Sequence, residues 1–131
     1  MNLERLMREA EKAAKLSYSP YSNVRVGAAL LSASGKMYLG ANIGNACSAL
    51  NCCAEQTALV SGLMGGDRLF LAVAVTQPGA EAVLPCGRCL QLLSEFADDM
   101  TVVVGTSDKM REHSLHELLP HPYVRPTEET P

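Results

Sequence analysis

The chain reads as a three-layer α/β/α sandwich with a mixed sheet, and three features carry that reading. Segments with apolar residues at helical spacing alternate with continuous apolar runs such as Phe70-Leu71-Ala72-Val73-Ala74-Val75. Runs of that kind mark strands buried on both faces, which need helices above and below them. The length of 131 residues, 47% hydrophobic and 19% charged, suffices for one domain with a proper core and is too short for two. With no linker or internal repeat, residues 1–125 read as one domain and residues 126–131 as a disordered tail.

The elements follow in order. Leu3, Leu6, Met7, Ala10, Ala13 and Ala14 share one face of a helix over residues 2–15, with Asn2 as N-cap and Glu4 in the first turn. Pro20 ends any helical continuation, so residues 17–23 form a loop. Two strands are expected at Val24 to Leu31 and Met37 to Asn42, joined by the turn Ser32-Ala33-Ser34-Gly35-Lys36. Ala54, Ala58, Leu59 and Leu63 define a helix over 54–64 that Gly65-Gly66 ends. After the strand at 70–75 comes a helix from Pro85 to Phe96, a buried strand at Thr101-Val102-Val103-Val104, and a short helix over 114–119. This last helix opens with the Ser-x-x-Glu capping box of Ser114 and Glu117. The expected order is α-β-β-α-β-α-β-α.

Composition narrows the function. Eleven basic residues against fourteen acidic ones give a net charge of −3, which opposes a general nucleic-acid binder. No apolar run reaches the ~18 residues of a membrane span, and the start Met1-Asn2-Leu3-Glu4-Arg5 lacks a signal-peptide layout. A cytoplasmic protein is expected. Five cysteines, an odd number, favour metal ligation or catalysis over a disulfide framework.

The cysteines fall in two groups. Cys53-Ala54-Glu55 and Pro85-Cys86-Gly87-Arg88-Cys89 each stand where a helix is expected to begin. Zinc takes cysteine as thiolate, and a helix N-terminus stabilises that anion. Three ligands, Cys53, Cys86 and Cys89, would leave the fourth zinc position to water, as in a catalytic site. Glu55 would stand beside that water as its proton carrier. The competing reading is a closed structural site with Cys52 or Cys47 as fourth ligand. It is disfavoured because zinc ribbons usually pair two Cys-x-x-Cys knuckles.

These residues resemble the zinc signature of the cytidine deaminase family, in its small, all-cysteine, free-nucleoside branch. The resemblance extends through Ser17-Tyr18-Ser19-Pro20-Tyr21-Ser22-Asn23, Arg25-Val26-Gly27-Ala28-Ala29-Leu30, Asn42, Asn45-Ala46 and Glu117-Leu118-Leu119-Pro120, covering about residues 3–124. It implies a zinc hydrolase that replaces the C4 amine of a free cytosine nucleoside, releasing ammonia. Cys53, Cys86 and Cys89 would hold zinc, Glu55 would move protons to N3 and the amine, and Asn42 would bond a ribose hydroxyl. The Ala54 backbone and the residue at position 24, here Val24, would meet the base, and Tyr123 would lie over the site. A homotetramer whose sites borrow neighbouring subunits' residues is also implied. An editing deaminase of polynucleotides and an inactive zinc-binding relative are the alternatives; net charge opposes the first and Glu55 the second.

Several positions depart from the family pattern. Val24 stands for the usual Phe, Gly44 for the Glu that pairs with Asn42 on the ribose, and Ser48 for a Tyr. Gln56 and Leu90 occupy positions where arginines commonly offset the thiolate charge, leaving Arg88 as the nearby cation. Arg88 within Pro-Cys-Gly-Arg-Cys and the ending Glu117-Leu118-Leu119-Pro120-x-x-Tyr123-Val124 also resemble blasticidin S deaminase, which acts on a cytosine nucleoside antibiotic.

Overall fold

The computed structural model describes residues 1–126, so most of the expected disordered tail lies outside the described residues. Helix α1 spans Leu3–Ala14, and the Asn2 side chain caps it by accepting from the Arg5 N–H at 3.0 Å. Strands β1 (Gly27–Ser32) and β2 (Met37–Ala41) follow, then a 3-10 turn at Ser48–Leu50 and helix α2 at Ala54–Met64. Strand β3 is Phe70–Thr76, helix α3 Gly87–Ser94, strand β4 Thr101–Gly105, strand β5 Met110–Ser114 and helix α4 Leu115–Leu118. The capping box is present: Glu117 N–H donates to Ser114 Oγ and Ser114 N–H to Glu117 Oε1, both at 3.3 Å.

The strands form one sheet in the order β2-β1-β3-β4-β5. Only β3 and β4 run parallel, with α3 as the crossover between them; the other three pairings are antiparallel. The expected three layers and mixed sheet are therefore present. On one face Leu6, Met7 and Ala10 of α1 pack on Ala29, Ala72, Ala74 and Val103. On the other, α2, α3 and α4 enclose Ala28, Leu30, Phe70, Val73, Val75, Val102 and Val104.

Two glycines set the spacing of these layers. A Cβ on Gly27 would lie 2.0 Å from the Ala10 carbonyl oxygen of α1. One on Gly40 would lie 2.2 Å from the Ala54 carbonyl oxygen of α2. The far end of α2 is tied down separately: Asp67 Oδ2 accepts from Tyr38 Oη at 2.5 Å and from Ser34 Oγ at 3.0 Å.

The elements differ from expectation in three places. Strand β1 starts at Gly27 rather than Val24, because Val24 and Val26 spend backbone groups on the Asn42 side chain. Helix α3 starts at Gly87 rather than Pro85, with Cys86 extended before it as its N-cap. Strand β5, Met-Arg-Glu-His-Ser, was not expected: it is an exposed edge strand and carries no apolar run or alternation.

Candidate active site

The segment before α2 is fixed by backbone pairing. Ile43 N–H donates to the Cys52 carbonyl at 3.0 Å and Cys52 N–H to the Ile43 carbonyl at 2.9 Å. Thr57 Oγ1 adds a bond to the Ala41 carbonyl at 2.9 Å. Cys53 thereby becomes the N-cap of α2, and Cys86 holds the same place on α3; neither side chain makes a capping hydrogen bond. The first-turn amides of both helices lack intrahelical acceptors, and on α3 those of Arg88 and Cys89 face the Cys86 sulfur.

The Sγ atoms of Cys53, Cys86 and Cys89 all lie within 4.8 Å of one another. Tetrahedral zinc with bonds of ~2.3 Å would set its sulfurs about 3.8 Å apart, so the cluster fits such a metal. Neither Cys47 nor Cys52 joins this group, so a closed four-cysteine site is not assembled among the described residues. Cys47 is exposed, and Cys52 instead lines the cavity beside the cluster.

Without metal the three thiols differ in acidity. Burial, with the Glu55 and Cys53 charges added, pushes Cys89 far up. Burial also raises Cys53. Cys86 is lowered: burial opposes its ionisation, but the backbone N–H groups of Cys89 and Arg88 and the neighbouring thiols outweigh it. Metal binding to thiolates then releases protons. Glu55, only 5% exposed, is pushed above the usual carboxylate range chiefly by burial, while the Cys89 side chain bonds to it and pulls the other way.

Arg88 reaches across from α3, and its Nη2 donates to Gln56 Oε1 on α2 at 2.6 Å. A positive charge thus bridges the two helix starts that carry the cysteines.

A cavity of about 320 Å³ opens beside the cluster. Asn42, Ile43, Gly44, Val26 and Ser22 line one part, Asn51 to Glu55 another, and Val75, Val83, Leu84 and Cys86 the rest. Of the residues expected at the site, Cys53, Cys86, Ala54, Glu55 and Asn42 line this cavity, and Cys89 is buried just behind it. Val24 and Tyr123 are not in its lining. Val24 instead offers its carbonyl to Asn42 Nδ2, and Tyr123, 69% exposed, bonds through its backbone N–H and carbonyl to Gln91 at 2.9 and 3.0 Å. Asn51 was missed by sequence reasoning; its neighbour Cys52 drew attention only as a thiol.

The sequence model of the cytidine and deoxycytidylate deaminase zinc-binding region matches residues 1–106. The chain belongs to this deaminase family. A cytidine deaminase of Sporosarcina psychrophila is 39% identical over 122 residues, which is 92% of this chain and 90% of that protein. The crystal structure of cytidine deaminase from Burkholderia pseudomallei superposes with a TM-score of 0.88 at 38% identity, over 94% of this chain and all of that one. A blasticidin-S deaminase of Bacillus cereus is 31% identical over 108 residues, covering 76% of this deaminase and 77% of that one. Among the described residues, no helix is long and apolar enough to cross a membrane.

Proposed function

We propose that the protein is a zinc-dependent hydrolase that deaminates a free cytosine nucleoside, cytidine or deoxycytidine, to the uracil nucleoside and ammonia. The observation that carries this reading is the cluster of three sulfurs with a buried carboxyl group beside it, at the wall of a nucleoside-sized cavity. Cys53, Cys86 and Cys89 would hold the zinc ion. Zinc, when bound, activates water near neutral pH.

The chain's own residues do the rest. Glu55 takes one proton from the attacking water and gives it to N3 as the oxygen bonds to C4, then carries that oxygen's second proton to the amine, which leaves as ammonia when the C4–N bond breaks. Burial raises its carboxyl toward the working pH, where a proton carrier is most effective. The free first-turn amide of Ala54 orients the base, and the apolar wall of Val26 and Val75 excludes water. Asn42 offers its remaining N–H to the sugar.

Residues 1–125 form the catalytic domain, and the family resemblance supports a homotetramer. In keeping with that, α2 leaves Val60 50% and Met64 80% exposed. The family resemblance assigns Val24 to the base and Tyr123 to the cover of the site; Val24 stands next to the cavity through its bond to Asn42. A reducing cytoplasm, with a role in pyrimidine salvage, suits five free cysteines.

A second reading, an antibiotic nucleoside such as blasticidin S, is favoured by Gly44, which lines the cavity without a side-chain acceptor for ribose. Ammonia release measured across cytidine, deoxycytidine and sugar-modified cytosine nucleosides separates the two. In the same assay Glu55→Gln keeps zinc while turnover falls by roughly 10²–10⁴-fold. A loss below tenfold with zinc intact would assign the proton transfers to another group.

A further inference from the structure

A nucleoside sugar brings hydroxyl groups into its site, and each enclosed hydroxyl needs a partner. The polar groups on the cavity wall away from Glu55 are few, and most are already committed. Asn42 Oδ1 accepts from the Val26 N–H at 2.8 Å and shares the single Ser17 hydroxyl hydrogen, at 2.5 Å, with the Asn42 carbonyl at 2.9 Å. Asn42 Nδ2 gives one of its two hydrogens to the Val24 carbonyl at 2.8 Å. One N–H is left. Gly44 has no side chain to offer, and its own N–H goes to the Tyr18 carbonyl at 2.6 Å.

Asn51 is different. Its Oδ1 accepts from the Asn45 N–H at 2.8 Å, which fixes the plane of the amide. Its backbone N–H is bonded to the Ser48 carbonyl at 3.1 Å, and the next residue is locked by the paired Ile43–Cys52 hydrogen bonds. Among the described residues, neither hydrogen on Asn51 Nδ2 has a partner. Asn51, an exposed residue of the cavity lining, therefore has two donors without a protein partner and is held in place by contacts that do not use them.

We propose that Asn51 is a specificity-determining residue that donates from Nδ2 to a sugar hydroxyl oxygen of the bound cytosine nucleoside. It supplies a contact that position 44 cannot make here. The proposal rests on the cavity being the nucleoside site, as argued above.

The test measures kcat/KM of the zinc-loaded protein for cytidine and for its 2′-deoxy, 3′-deoxy and 5′-deoxy analogues, in the parent and in Asn51→Ala. A single hydrogen bond corresponds to about three- to tenfold. The expected result is that Asn51→Ala costs cytidine that much more than it costs one of the three analogues, the one lacking the bonded hydroxyl. Asn51→Ser offers a hydroxyl that can accept from Asn45 N–H but lacks the Nδ2 amide donors. It should show the same differential, and it carries the test alone if the alanine variant does not fold. An equal loss on all four substrates, or a differential with alanine that serine abolishes, means that Asn51 only shapes the loop and overturns the proposal. A zinc-loaded parent that releases ammonia from none of the four overturns the nucleoside reading, and this proposal with it.

Discussion

Helices α1 and α2 lie on opposite faces of the β1–β2 hairpin, and a strand glycine admits each of them: Gly27 beneath α1 and Gly40 beneath α2. Their N-termini differ. Asn2 spends its side chain on the Arg5 N–H of α1, whereas Cys53 makes no side-chain cap on α2. The first helix start is closed and only stabilises. The second leaves its amides and sulfur available, and the cavity, Glu55 and the other two cysteines gather there. On the proposed function, chemistry falls where a capping interaction has been given up, since the same free N–H groups that favour a cap also favour a thiolate or a polar ligand.

The largest effect expected from breaking this contrast comes at Cys53. Cys53→Ala should reduce zinc well below one ion per chain by metal analysis and abolish activity, while Cys47→Ala keeps both. Zinc retained in Cys53→Ala would remove that residue from the ligand set.

Next come the paired glycine substitutions. Gly27→Ala and Gly40→Ala each drive a methyl carbon into helix backbone, and each should cost about 3 kcal/mol or more, the upper range of overpacking. Urea titration reads that cost. Their activities should separate, because Gly40→Ala displaces α2 and with it Cys53 and Glu55. A displacement near 1 Å costs up to ~100-fold in kcat/KM. Gly27→Ala shifts α1, which lends no residue to the cavity, so the folded fraction should retain most of its activity. Equal activity losses would mean that the two faces of the sheet are mechanically coupled.

A smaller effect is expected at the bridge between the two cysteine-bearing helices. Arg88→Ala removes the cation bonded to Gln56, leaving three thiolates around a divalent ion without that offset. Groups acting through a ligand's surroundings typically change metal affinity by roughly 10–100-fold, and the exposed position of Arg88 places it near the lower figure. Competition with a chelator measures this directly. Arg88→Lys, which keeps the charge, should recover part of the loss.

The smallest effect belongs to the closed helix start. Asn2→Ala should cost about 1 kcal/mol of stability with no change in zinc content or kcat/KM. Thermal melting beside an activity assay reads both quantities.

Most of the fold was legible in the sequence because its signals are local. The apolar spacing of α1 and α2, the Asn2 cap, the Ser114–Glu117 capping box and the apolar runs of β3 and β4 each lie within a few residues of chain. The pairing of Cys53 with Cys86 and Cys89 was legible too, since both groups stand at helix starts. Strand β5 was not, because an exposed edge strand buries too little to need an apolar pattern. The tertiary structure alone decided how the polar side chains are spent. Asn42 is divided among Ser17, Val24 and Val26, Arg88 is turned to Gln56, Tyr123 is drawn to Gln91, and Asn51 is left with free donors. A long polar side chain takes whichever partner the packed chain brings near, and most of these partners stand far away in sequence.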